Sequence, residues 1–165
     1  MTHQHAIAAI RPARLSDVAA IVGAARDFGQ EGIMIPLSVG DVTERLREFI
    51  VAEAPEEGVV GCVAVHVTWG LLVEVRSLAV RREAQGRSIG RQLMEAAFRD
   101  ARRLGATEMF TLTYIPEFFR RFGFEEIDRG DLPHKVWLDC VKCPKFPDCG
   151  ETAMKLPLPC GTGVA

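Results

Sequence analysis

Ile89, Leu93, Met94, Ala97, Phe98, Ala101 and Leu104 recur every three or four residues, and the pattern stops at Gly105. That spacing predicts a long helix with one buried stripe, ended where glycine can take a left-handed cap. The apolar run Leu71–Val80 precedes it, and the charged, Gly-containing stretch Arg81–Gly90 joins the two. A strand, a turn and a helix in this order restrict the chain to folds that pack helices on a sheet. Two further apolar runs, Phe49–Ala54 and Val59–Trp69, lie upstream. The intervening turns, Pro55–Gly58 and the one near Gly70, are short enough for antiparallel hairpins, so a meander is expected.

The remaining segments fit around that frame. Ala6–Arg11 reads as a first strand ended by Pro12, which has no N–H to donate. Val18, Ile21, Val22, Ala25 and Phe28 form a helical face that Ser16 or Asp17 can cap, broken by Gly29 and Gly32. Ile33–Leu37, with Pro36, suits a loop over the core or against a pocket, and Ser38 or Asp41 opens a second helix through Val42, Leu46 and Phe49. Downstream, Met109–Tyr114 reads as a buried strand and Pro116 starts a short helix ending at Gly123. Phe124–Ile127 reads as another strand, and Met154–Leu158 as the last. The expected class is α/β (α+β), a mixed and mostly antiparallel sheet flanked by helices. At 165 residues one domain, 1–165, is expected, with a Pro- and Cys-rich segment over 130–165 packed on it.

Composition narrows the function classes. A net charge of −2 supplies no basic field for nucleic acid. The longest apolar stretch, Val59–Val67, falls well short of the roughly 20 residues of a membrane span. Met1–Ala6 lacks the basic and apolar parts of a secretory signal, so a cytoplasmic location is expected by default. Five cysteines, three of them at Cys140, Cys143 and Cys149, do not form a secreted disulfide framework, and Cys62 in an apolar run reads as core.

The chemistry centres on the turn Val80-Arg-Arg-Glu-Ala-Gln85-Gly86-Arg87-Ser88-Ile89-Gly90. Backbone N–H groups at a helix start lack intrahelical acceptors and carry the positive end of the helix dipole, so a turn of small residues there can wrap a pyrophosphate. Gly86 and Gly90 allow close approach, and Arg81, Arg82, Arg87 and Arg91 add positive charge. The bland alternative is a Gly-assisted loop with a solvated basic face.

Gln85-x-x-Ser88-x-Gly90, after a strand ending in Ala79-Val80, resembles the coenzyme-binding signature of GNAT acetyltransferases, with Ser88 where Gly is usual. The resemblance extends from Ile10-Arg-Pro-Ala13 to Phe118-Phe-Arg-Arg-Phe-Gly-Phe124. In such enzymes the last segment usually carries a Tyr where Phe119 stands. Glu74-Val-Arg76-Ser77, Leu112-Thr-Tyr114-x-Pro116-Glu-Phe-Phe119, Leu132-Pro-His134-Lys-Val-Trp137 and Cys140-x-x-Cys143-Pro-Lys-Phe-Pro-Asp-Cys149 are similar to the short, kinase-less amino-acid N-acetyltransferases of the ArgA type, the N-acetylglutamate synthases. The resemblance implies acetyl-CoA as cosubstrate, held by Leu78, Ala79, Val80, Gln85, Gly86, Arg87, Ser88, Ile89, Gly90 and Arg91. It further implies transfer to the α-amino group of L-glutamate, the first step of arginine biosynthesis. After Ile33-Met-Ile-Pro36 it implies a basic residue for a substrate carboxylate, where Leu37 is found.

An amine attacks a thioester only as the free base, so a proton acceptor is needed. Glu74, inside an apolar strand and on the face of Arg76, Leu78 and Val80 by alternation, is the residue expected to serve. The alternative is a surface pair of Glu74 with Arg76. Arg76 can bind a substrate carboxylate through its planar fork or neutralise Glu74. Ile35 and Lys142 complete the expected substrate contacts. A backbone N–H near Leu78–Val80 is expected to stabilise the oxyanion, and Tyr114, the only tyrosine, can protonate the leaving thiolate. His66 reads as a structural histidine.

His134, Cys140, Cys143 and Cys149 offer one nitrogen and three sulfurs to a structural zinc. The alternative is a Pro-stiffened cap with its thiols packed as small apolar groups. Expected partners are an amino acid, L-glutamate first, and a second copy of the chain as a homodimer; neither nucleic acid nor membrane is expected. Two other functions stay open: a GNAT enzyme acting on another small amine or a protein N-terminus, and a non-catalytic CoA- or metal-binding regulator.

Overall fold

The computed structural model describes residues 8–159. Strand β1 (Ala9–Pro12) pairs antiparallel with β2 (Phe49–Ala54), and β2 pairs antiparallel with β3 (Gly58–Trp69) around a bulge between Ala52 and Glu53. Strand β4 (Leu72–Val80) runs parallel to β5 (Glu108–Thr113), with Leu72 opposite Glu108 and Glu74 opposite Phe110. Between them lies the helix α3 (Ile89–Arg103), the crossover that a parallel pair requires. Strand β7 (Thr152–Pro157) pairs antiparallel with both β5 and β6 (Glu125–Glu126). The sheet order is β1-β2-β3-β4-β5-β7-β6, so the expected mixed, mostly antiparallel sheet with helices is found.

The chain clusters into two compact units. One comprises residues 8–65 with Arg76–Asp100. It contains the helices α1 (Val18–Gln30) and α2 (Val39–Glu44). Ile21, Ala25, Val42, Phe49, Val51, Cys62 and Ala79 form its core, with Phe28, Met34, Leu37 and Leu46 packed against it. Each fully buried large aliphatic or aromatic side chain in such a core contributes about 1.5–3 kcal/mol. Ser38 caps α2 by accepting from Asp41 N at 3.0 Å. Asp17 stands at the start of α1 but does not cap it, contrary to expectation. Its buried carboxylate accepts instead from Arg11 Nη1 and Nη2, at 2.7 and 3.0 Å, and from Arg14 N at 2.7 Å. A guanidinium fork offers the carboxylate two charge-assisted bonds with an opposite charge behind them where a cap offers one, so the ion pair wins.

The second unit comprises His66–Val75 and residues 101–159. It contains α4 (Pro116–Arg120) and α5 (His134–Lys142), and its core gathers Leu72, Phe110, Leu132, Val136 and Ala153. Helix α5 lies where the sequence suggests only an irregular tail. Val136 and Cys140, four residues apart, supply one short apolar face, and Leu132, Leu112 and Ile127 belong to the same cluster.

Candidate active site

Strand β4 carries the expected base and the expected oxyanion donors on one continuous backbone. Glu74, Arg76, Leu78 and Val80 are half-buried while Val75 and Ala79 are buried, the alternation expected of a strand with one closed face. Ser77 interrupts its extended backbone at φ 54°, a left-handed conformation that costs a non-glycine residue roughly 1–2 kcal/mol. Such strain persists only where the surroundings fix it. Here the buried Cys62 thiol donates to the Ser77 carbonyl at 3.4 Å. Burial pushes that thiol up to about 12. Across from Ala79, Gly61 permits a close backbone approach: a Cβ there would meet the Ala79 carbonyl oxygen at 2.9 Å.

Arg76 Nη2 donates to Glu48 Oε2 at 3.4 Å. No local pattern points to Glu48, which lies in the one-turn helix before β2. Ile35 is 44% exposed in the loop after α1, whereas Leu37 packs against the core of its unit. Lys142 is exposed in the last turn of α5.

The turn from Val80 into α3 has the geometry of an anion cradle. Gly86 (φ 78°) and Ser88 (φ 59°) are both left-handed, which is the physical reason glycine is usual at the position of Ser88. A single-turn helix, Arg82–Ala84, seats the buried Ala84, and Gln85 Nε2 donates to the Val80 carbonyl at 3.2 Å. The first bond of α3 runs from Gln92 N to Ser88 O at 3.1 Å, so the amides of Ile89, Gly90 and Arg91 precede any intrahelical acceptor. The arginines are held from outside: Arg87 by Glu57 (2.6 Å) and the Glu83 carbonyl (2.9 Å), Arg82 by Glu31 and the Phe28 ring, Arg91 by Glu95.

In the second unit Tyr114 follows β5. Its hydroxyl accepts from Lys145 Nζ at 3.1 Å, and the same ammonium lies 4.3 Å from the ring centre. His66 is half-buried on β3. The expected zinc set does not assemble: among the described residues no three His, Cys, Asp or Glu side chains converge on a metal position. His134 and Cys140 are six residues apart on α5, which turns them to different sides of the helix. Cys143 caps its end, and Cys149 is engaged by Arg129 (3.6 Å) and Glu151 (3.3 Å). Cys140 packs with the apolar cluster, and burial holds its thiol above the ordinary value. The packed-thiol alternative describes Cys140.

An N-acetyltransferase of Chlorobaculum tepidum, itself uncharacterised, is 41% identical over 145 residues, spanning 88% of this chain and 93% of that protein. The acetyltransferase (GNAT) domain model matches residues 45–126. The chain belongs to the GNAT acetyltransferase family. The amino-acid acetyltransferase of Mycobacterium tuberculosis is 38% identical over 130 residues, covering 78% of this GNAT chain and 74% of the relative. Among solved structures, a Mycobacterium tuberculosis protein in complex with CoA superposes with a TM-score of 0.79 at 32% identity, over 91% of this chain and 99% of that one. The N-acetylglutamate synthase of Neisseria gonorrhoeae, complexed with coenzyme A and N-acetyl-glutamate, shares the fold at a TM-score of 0.84 and 24% identity, over 94% of this chain and 36% of that one. This GNAT chain is therefore an acetyltransferase with acetyl-CoA as its acyl donor. No helix among its described residues is long and apolar enough to cross a membrane.

Proposed function

We propose that this GNAT enzyme transfers acetyl from acetyl-CoA to the α-amino group of L-glutamate. The observation that carries the reading is the arrangement along one segment, β4 through the start of α3: a half-buried carboxylate at Glu74, backbone donors at Leu78–Val80, and a left-handed turn opening a helix. The choice of an amino acid draws on the 38% identical relative that is named an amino-acid acetyltransferase.

In this scheme the amides from Gly86 to Arg91 hold the CoA diphosphate at the positive end of α3. Glu74, directly or through water, removes a proton from the acceptor ammonium, a step worth about 10²–10⁴ in rate. The free amine attacks the thioester carbonyl, and a β4 amide near Leu78–Val80 stabilises the oxyanion. As the tetrahedral intermediate collapses, the C–S bond breaks and its electron pair goes to sulfur. Tyr114 supplies the proton. Arg76, charge-balanced by Glu48, and Lys142 are the cations proposed for the two carboxylates of glutamate, with Ile35 against its methylenes.

A second acceptor has its own support. Leu37 is committed to core packing at the position where a carboxylate-binding cation is implied, which favours a less acidic amine. A panel of L-glutamate, L-glutamine, L-aspartate, L-leucine and a short peptide, each with acetyl-CoA and followed by thiol release, separates the two. L-Glutamate leads in kcat/KM on the preferred reading; equal or faster turnover of L-leucine or the peptide overturns it.

A further inference from the structure

The contact between Lys145 and Tyr114 has a direction that chemistry fixes. An ammonium carries three donors and no acceptor, so at 3.1 Å the Tyr114 oxygen must accept, and its own proton is left for another partner. Lys145 Nζ also stands 4.3 Å from the ring centre, against the phenol face. Both side chains are half-buried, where a charge is screened less than at an open surface. Gly150 backs the ring on its other contact, with the position of a Cβ lying 3.5 Å from Tyr114 Cε1. Ile115 N donates to Thr113 Oγ1 at 3.0 Å, holding the backbone on either side of Tyr114.

We infer that Lys145 is a positioning residue for acetyl transfer: it turns the Tyr114 O–H outward as a proton donor and stabilises the negative charge that donation leaves on the phenol oxygen. This rests on the reading of Tyr114 as the acid. When the C–S bond breaks, the electron pair goes to the CoA sulfur, the Tyr114 proton follows it to give the thiol, and the resulting phenolate faces the Lys145 ammonium. The nitrogen of the tetrahedral intermediate still carries a second surplus proton, which passes to water as the amide forms. Water returns one proton to the phenolate and Glu74 releases the one taken from the ammonium, so one net proton leaves per turnover and the cycle closes without a further reactant. The contact is charge-assisted, about twice as strong as a neutral hydrogen bond.

The test is a double-mutant cycle on kcat with acetyl-CoA and the fastest acceptor of the panel. Lys145→Met is expected to lower kcat about 10-fold, a fraction of a full acid contribution, with KM for both substrates nearly unchanged. Lys145→Arg keeps most of the rate, because a guanidinium also only donates. In a Tyr114→Phe background Lys145→Met adds nothing. Lys145→Gln carries the same expectation if Met loosens the loop, and thermal melts confirm that each variant folds. If Tyr114→Phe keeps full kcat, the acid assignment falls and this inference with it. If Tyr114→Phe is slow but Lys145→Met lowers kcat equally in both backgrounds, or not at all, only the role of Lys145 is overturned.

Discussion

Gly61→Ala probes the point where the fold and the reaction share one backbone. The added methyl would lie 2.9 Å from the Ala79 carbonyl oxygen, 3.2 Å from Leu93 Cδ1 and 3.3 Å from Val80 Cγ2. A buried side chain can rotate, but the carbonyl belongs to β4 and cannot move without the strand. Overpacking of this kind costs about 1–3 kcal/mol. Against it stands the reduced freedom of the unfolded chain when alanine replaces glycine, about 0.5–1 kcal/mol. The net loss centres on about 1 kcal/mol, and with a urea m-value of roughly 2 kcal/mol/M the midpoint falls by roughly 0.5 M. Gly23→Ala serves as the control: its nearest neighbour is the flexible Arg81 Nη2 at 3.9 Å, and in helix α1 the change gains up to ~1 kcal/mol. Because Ala79 and Val80 belong to the segment proposed to supply the oxyanion donor, Gly61→Ala also lowers kcat/KM for acetyl-CoA while Gly23→Ala does not. Equal urea midpoints and unchanged m for Gly61→Ala and the parent would refute the steric argument.

Four other outcomes are expected. Asp17→Ala costs about 2 kcal/mol, since it takes two charge-assisted bonds from the half-buried Arg11 guanidinium and leaves Glu53 as its carboxylate partner; a chemical melt within ~0.5 kcal/mol of the parent contradicts this. The Arg11 hydrogen bonds hold the Asp17 carboxyl below its ordinary 3.8, so its stabilisation is fully present above about pH 4 and is lost as pH falls through the folded-state value. Asp17→Asn should flatten the acid limb of a stability profile, and an unchanged limb removes Asp17 as its cause. Cys62, buried and with its thiol pushed up to about 12, resists alkylation at pH 8 until the chain unfolds, as peptide mass mapping would show; labelling at native-state rates like those of Cys143 would contradict its packing. Glu74→Gln lowers kcat by about 10²-fold or more with little change in the affinity for CoA, and a variant with full turnover has no base at Glu74.

Periodic signals transferred from sequence to structure with little loss. The stripe from Ile89 gave α3 as Ile89–Arg103, and the three apolar runs became Phe49–Ala54, Gly58–Trp69 and Leu72–Val80. Each depends on local alternation or helical spacing, which the chain displays directly. What stayed hidden was set by partners distant in sequence. Arg76 meets Glu48 28 residues away, Lys145 meets Tyr114 31 away, and nothing in the local pattern announces either. Helix α5 was masked because its apolar face is barely two turns long and lies between prolines and cysteines. Ser77 and Ser88 adopt left-handed backbone with no glycine to mark it, so a kinked strand and a strained turn were read only by resemblance at Ser88 and not at all at Ser77. The cysteine spacing misled in the opposite direction: proximity in sequence does not bring four ligands to one point when a helix separates them.

The grip of the α3 amides on a diphosphate is tested most directly by removing the diphosphate from the donor. Acetyl-pantetheine keeps the thioester and lacks the diphosphate and nucleotide. With the same acceptor, kcat/KM for acetyl-CoA is expected to exceed that for acetyl-pantetheine by about 100-fold or more, some 3 kcal/mol of binding. Comparable values for the two donors would contradict the account.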